Sequence, residues 1–429
     1  MSTSLSGDVV ITGIGVMSPI GTDLQTFWEN IAAGQCGFRR TEEISYVATP
    51  GSIGGEVRDF SDASVKKGHL KAVRKQVNVM CREIQLGVAS ALQALENSGI
   101  APGSVPPERI GVEFGANLMN SPPEVMIDAA RACAADSKTF DYDTWGLSGG
   151  NRFEGMEPKW LLKYLPNMPA CHIGIAIDAR GPNNSLVQDE ASGNLAISEA
   201  VGIIRRGRAD VMVTGTTGTK LNSVKSAHHS HWDTLADGPA EQRCRPFDRS
   251  RRGEVIAEAS CSLVLESRAH AEARGARIYG SILGAGSSCY LDDKTGEQTA
   301  IETAIRIALK NAGITAEQLG HVNACASGNL IRDAYEARAL QAMVGSSVPV
   351  TAAKSYLGSA GSGSTLTEIA FSLMGLKNGV IPKTLNFAAG DEGSDLNVVS
   401  GEHLPTGNKI FLKTSVTRMG QCSAVVIGV

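Results

Sequence analysis

Aromatic side chains are scarce in this 429-residue chain, at 5% of residues against 42% hydrophobic residues of all kinds. Beside 48 glycines, that scarcity suits close packing of helices on sheets and excludes a broad aromatic binding platform. Neither sign of charge is in excess. A net charge of −4 and an isoelectric point near 6.1 leave no electrostatic footprint for nucleic acid or an anionic membrane. The nine cysteines, from Cys36 to Cys422, form no CxxC pair and no regular spacing, and their odd number speaks against a disulfide framework. No apolar run approaches the ~18 residues of a membrane span, and MSTSLSGDVV has neither the basic nor the apolar segment of a secretory signal. The expectation is a soluble, cytoplasmic protein with a large core.

What is present is an alternation of short β-rich runs with longer helical patterns, the α/β signature. VVITGIG (9–15) reads as a buried strand, and Thr22 or Asp23 caps the amphipathic LQTFWENIAAG. A helical stretch around Gln76–Ser98 stops at Gly99, before the strand IGVEFGA. CHIGIAID, a helix after Glu190 and ADVMVTGT read as strand–helix–strand, and SCSLVLES as another strand. From about Ala276 the order restarts: RIYGSILGAG, TAIETAIRIALKNAG, HVNACASG, DAYEARALQAMV, VPVTAAKS, STLTEIAFSLMGLKNG, KIFLKTSV and SAVVIGV. The spacing predicts two related halves, 1–270 and 271–429, with a turn-rich insertion at about 117–166.

One junction stands out. GPNNSLVQDEASGNLAISEA (181–200) places Glu190 where a loop enters a small-residue helix. Such a junction offers free backbone N–H groups and a positive dipole end, a setting that suits an anion or an activated nucleophile. Nucleophiles are Ser, Cys or Thr far more often than Glu.

VVITGIGVMSPIG with FWENIAAGQCG, GPNNSL, RRGRADVMVTGTTGT, RPFDRSRRGEVIAEASCSLVLESRAHAEARGARIYG, VNACASGNLIRDAYEARAL, AAKSYLGSAGSGS and SVTRMGQCSAVVI together cover nearly the whole chain. In these stretches the chain resembles the β-ketoacyl-[acyl carrier protein] synthases of the thiolase superfamily. The resemblance implies the thiolase fold, two α/β halves in a five-layer α-β-α-β-α core, and a dimer built across the first half's sheet. It also implies a Cys nucleophile carrying the acyl chain and two His residues that help decarboxylate the malonyl extender. In register, the nucleophile position is Glu190, the first His position is Cys325 in VNACASG, and the second is Ser359 in KSYLGS. Lys354 and Glu336 match residues that the resemblance pairs as charges beside the site. Val416 and Arg418 stand where relatives carry two Phe residues of a glycine-rich gate.

A carboxylate is a poor acyl acceptor from a thioester, because the anhydride formed is high in energy. Glu190 should stay ionised, hydrogen-bonded to backbone N–H groups at the helix start. Without imidazoles, the malonyl oxyanion loses donors worth roughly 3–4 kcal/mol each. Ordinary condensation is therefore not expected. Glu190 could be a plain helix-start carboxylate, a plug or mimic of the extender in an inactive pocket, or a general base. Cys325 reads as a buried small hydrophobe or a replacement nucleophile, and Lys354 with Glu336 as a structural ion pair or a substrate-orienting one. HHSHWD (228–233) lies in a long polar stretch, and a solvated loop is preferred there to a zinc site. TGIGVMSPIG lacks the third Gly of a dinucleotide fingerprint. Arg205, Arg206, Arg208, Arg243 and Arg245 are either solvated or a surface for an acidic carrier protein.

Three functions fit. The first is a non-condensing homologue similar to the chain-length factors of aromatic polyketide systems, dimerised with an active ketosynthase. The second is an acyl-carrier-dependent transferase or decarboxylase using Glu190, Cys325 or Lys354. The third is a homodimeric acyl-binding protein without chemistry. No cofactor is expected beyond phosphopantetheine-linked acyl groups on a carrier protein, and no metal.

Overall fold

The computed structural model describes residues 8–44, 47–134, 139–147, 159–290 and 296–429. Ten strands form the main sheet: β1 (Val9–Met17), β2 (Ile110–Ala116), β3 (Asn183–Leu186), β4 (Val211–Thr219), β5 (Glu258–Ser267), β6 (Gly280–Cys289), β7 (His321–Asn323), β8 (Val350–Thr351), β9 (Ile410–Val416) and β10 (Gln421–Gly428). Their spatial order is β8-β7-β9-β10-β6-β1-β5-β4-β2-β3. The first five strands run β3-β2-β4-β5-β1 and the last five run β8-β7-β9-β10-β6, the same order repeated. Directions repeat as well: β2 is parallel to β3 and β4, as β7 is to β8 and β9. The remaining pairs within each set are antiparallel. A short antiparallel seam, Val9↔Ile282 to Ile11↔Gly280, joins the sets.

Six helices matter here: α1 (Arg82–Ser98), α2 (Ser192–Arg205), α3 (Ser223–Trp232), α4 (Gly296–Ala312), α5 (Arg332–Val344) and α6 (Ser364–Lys377). α1 covers β1, β4 and β5, while α4 covers β6 and β10 with α5 beside it. Between the two sets lie α2 and α6, each touching strands of both. That is the five-layer thiolase arrangement. Burial on two sides explains why β1 is apolar without alternation, and why α6 is buried from Ser364 to Leu376. The two central helices approach so closely that a Cβ on Gly193 would lie 2.7 Å from Thr365 Cβ, so a larger residue here would force the helices to shift.

Two expectations change. CHIGIAID belongs to a helix, Met168–Ile177, with Pro169 in its first turn. Its alternating Ile residues mimic a strand, yet Ile175 is 66% exposed while Ala170 and Ile173 are buried, a spacing of three that belongs to a helix. The polar stretch around HHSHWD is α3, capped by the Asn222 side chain accepting from Lys225 N–H at 2.8 Å. The insertion at about 117–166 lies partly outside the described residues, at 135–138 and 148–158. Its described parts include short helices at Ile127–Cys133 and Tyr142–Leu147 and a turn at Trp160–Tyr164.

Candidate active site

β3 ends at Leu186, and Asp189 turns the chain through a left-handed φ of 43°. One 3-10 turn, Asp189–Ala191, then leads into α2. Glu190 sits on that turn, 7% exposed, its carbonyl accepting a short hydrogen bond from Thr365 Oγ1 on α6. Its carboxylate does not rest on backbone N–H groups, as the helix-start argument anticipated. Lys220, directly after β4, places Nζ 2.9 Å from Glu190 Oε1 and donates to Ser359 Oγ at 2.9 Å. Ser359 Oγ in turn donates to Glu190 Oε1 at 3.1 Å.

Burial alone would raise the Glu190 carboxyl; Lys220 outweighs it, helped by Asp189 and Lys354, and holds the carboxyl well below the usual range. Asp189 moves the other way, raised by desolvation and by the neighbouring Glu190 charge. Glu190 is thus an ionised, fully engaged carboxylate.

Cys325 follows β7, and the positions assigned to nucleophile and both histidines converge. Glu190, Cys325, Ser359, Lys354, Glu336 and Val416 line one inner chamber of about 30 Å³, the room of about one water molecule. Burial pushes the Cys325 thiol up to about 11, although Lys354 Nζ stands 3.5 Å from its sulfur. The sulfur also accepts from Val416 N–H at 3.4 Å. A protonated, enclosed thiol is a weak nucleophile.

The expected Lys354–Glu336 pair is not formed. Lys354 Nζ lies 2.7 Å from Glu368 on α6, which also takes a short contact from Lys413 on β9. Glu336 instead accepts from Cys325 N–H at 2.9 Å and from Thr414 Oγ1 at 2.6 Å. The physical reason is placement: α6 carries Glu368 between the two lysines, while Glu336 on α5 faces the chain at Cys325.

Outside the chamber lies a cavity of about 370 Å³, and Glu190 and Arg332 line both spaces. Arg332 is held by Asp233 at 2.7 Å and Glu254 at 3.0 Å, and Glu254 also meets His229 Nε2 at 3.2 Å. Arg418 reaches back over the Trp232 ring, 4.7 Å from its centroid, with Asp233 at 3.7 Å. The two positions that the resemblance assigns to a gate therefore separate: Val416 lines the chamber and Arg418 the outer cavity. His229 serves an ion-pair network, not a loop in water.

Arg243 is buried and donates to Pro50 and Gly238 carbonyls, each at 2.7 Å, and Arg245 pairs with Asp248 at 3.2 Å. Arg205, Arg206 and Arg208 lie at the far end of α2 from Glu190, about 20 Å away by helix rise. None of the five surrounds the cavity.

Sequence reasoning missed Lys220, Glu368, Lys413 and Arg332. Signals existed. Lys413 in IFLKTSV and Glu368 in TLTEIAF are single charges within otherwise uncharged runs, which calls for a mutual partner.

The site also sets an acid response. Glu190, Glu254 and Glu368 all lie below their ordinary values, each because nearby cations outweigh burial. Their folded pKa values are lower than their unfolded ones near about 4.3. The stability they contribute is present above roughly pH 5 and lost as pH falls further. Thermal unfolding should show wild type and Glu190→Gln converging as pH drops from 7 to 3.5. Parallel curves would contradict this.

Comparison with known proteins agrees with this architecture. The family model described as the β-ketoacyl synthase N-terminal domain matches residues 6–271, and that of the C-terminal domain matches 279–388. The chain belongs to the β-ketoacyl synthase family. The 3-oxoacyl-[acyl-carrier-protein] synthase 2 of Coxiella burnetii (strain RSA 493 / Nine Mile phase I) is 30% identical over 403 residues, 92% of each chain. The Staphylococcus aureus (strain COL) protein of the same name is 28% identical over 403 residues, 92% of this chain and 91% of its own. Among solved structures, the ishigamide ketosynthase/chain length factor superposes with TM-score 0.84 at 24% identity, over 99% of each chain. A β-ketoacyl synthase from Burkholderia phymatum STM815 also reaches TM-score 0.84, at 23% identity over 98% of this chain and 99% of that one. Among the described residues, no helix is long and apolar enough to cross a membrane.

Proposed function

We propose that this β-ketoacyl synthase homologue does not condense, and that it serves fatty acid or polyketide synthesis as a chain-length-factor-like subunit in the cytoplasm. The observation that carries this reading is the Glu190–Lys220–Ser359 cluster, a salt-bridged carboxylate at the position that the family resemblance assigns to the acyl nucleophile. The chamber beside it measures about 30 Å³ and is lined by Lys354, Glu336 and Cys325, all of them engaged with neighbours. Cys325 and Ser359, at the two histidine positions, supply no imidazole.

What remains is a scaffold: two related halves, 1–270 and 271–429, and an outer cavity of about 370 Å³. In this reading the chain pairs with an active ketosynthase that brings the reacting groups, and a carrier protein delivers the acyl chain. The likeness to a ketosynthase/chain length factor structure supports it. The raised thiol of Cys325 and the full engagement of Lys354 and Glu190 weigh against a transferase or decarboxylase.

The test is direct. After incubation with an acyl-carrier thioester, intact-protein mass spectrometry should find no acyl adduct. A stable adduct mapped to Cys325 would establish the acyltransferase reading instead.

A further inference from the structure

Beside the outer cavity lies a second one, of about 420 Å³, and Asn120 lines both. The wall between them is thin. After β2, Leu118 lines the outer cavity and Met119 the second; at the end of β4, Thr219 lines the second and Lys220 the outer. One ion pair spans this wall. Lys225, in the first turn of α3, lines the outer cavity, and Glu83, in the first turn of α1, lines the second. Lys225 Nζ stands 2.8 Å from Glu83 Oε2, with the two side chains 11% and 3% exposed. Glu83 Oε1 also accepts from Asn117 N–H at 3.2 Å. The backbone thus holds the carboxylate, and the lysine, on a flexible four-carbon stem, is the member able to move.

We propose that the Lys225–Glu83 pair closes one end of the outer cavity and so limits the length of acyl chain the protein holds. This deepens the acyl-handling reading above and rests on it. A chain that runs past Leu118 has to part the pair. Parting it leaves Glu83 buried without its cation, a cost that matches the gain from burying about four to six methylenes. A chain that ends at the pair therefore gains nothing from a few more carbons. With the pair removed, the chain meets an apolar wall of Ile44, Cys81, Met119 and Pro122 in the second cavity.

Calorimetric titration of the purified chain with acyl-pantetheine amides of increasing length tests the inference. Wild-type affinity should rise about fourfold for each methylene, then stay level over at least about four methylenes. Lys225→Ala with Glu83→Gln removes both charges and leaves neither buried alone. That variant should rise through the level stretch and bind chains at its far end on the order of 100-fold more tightly than wild type. The same long chains should slow alkylation of Cys81 in the double variant and not in wild type, read by peptide mass spectrometry. If the double variant does not fold, Glu83→Gln alone, which frees Lys225 to turn into the outer cavity, should shorten the level stretch.

A wild-type series with no level stretch, or one that keeps its full width in the variants, overturns the partition while acyl binding stands. If no chain length binds to wild type or to either variant, the acyl-handling reading falls and this inference falls with it.

Discussion

Replacing Lys220 by methionine is expected to cost about 3–5 kcal/mol of stability, the penalty of leaving one member of a buried ion pair alone. Glu190 would lose its cation and keep only the Ser359 hydroxyl, at 3.1 Å, in a setting where both side chains are about nine-tenths covered. The carboxyl would respond by taking up a proton, so its pKa should rise and the loss should be largest at neutral pH. Lys220→Met with Glu190→Gln should recover more than half of the deficit, because an amide can be buried at far lower cost than a charge. Urea unfolding of the two proteins at pH 7 measures the difference. A single variant that loses less than about 1 kcal/mol would show that solvent, not Lys220, compensates Glu190.

Glu190→Cys should create a thiol alkylated at least about tenfold faster than the native cysteines, all nine of which are free. Lys220 and the start of α2 favour its thiolate, whereas burial raises several of the native thiols, Cys81 to about 12 and Cys325 to about 11. Acylation can follow, yet malonyl condensation should not, since each missing imidazole withholds roughly 3–4 kcal/mol from the oxyanion. Adding Cys325→His and Ser359→His should restore weak condensation only where Val416 and Arg418 admit the substrate. The contrary result would come from the unmodified protein: extension or decarboxylation that Glu190→Gln abolishes would make Glu190 a working catalytic group.

Much of the fold was legible because the elements are long and patterned. β1, β5 and α1 follow their apolar runs, and the repeat from HVNACASG to AVVIGV anticipated β7 to β10 echoing β2 to β5. The helix at Met168–Ile177 was misread because three isoleucines at alternate positions imitate a strand, and only burial separates the two periods. In the site, motif register brought Glu190, Cys325 and Ser359 to one chamber, but it could not reveal which charges meet there. Lys220 reaches Glu190 across 30 residues and Lys354 chooses Glu368 over Glu336, outcomes of helix placement that spacing does not encode.

The central position of β1 has a consequence for how the chain is made. Val9–Met17 leaves the ribosome some 250 residues ahead of its ladder partners, Ser260–Ser267 and Gly280–Ile282. At about 5–20 residues per second, it waits on the order of 10–50 s for them. During that interval a nine-residue apolar strand, fully buried in the finished sheet, has both edges open. Synthesis of this protein therefore carries a built-in hazard of strand-to-strand capture between nascent chains. Holding that first strand apart is a task for chaperones, one that slower translation lengthens.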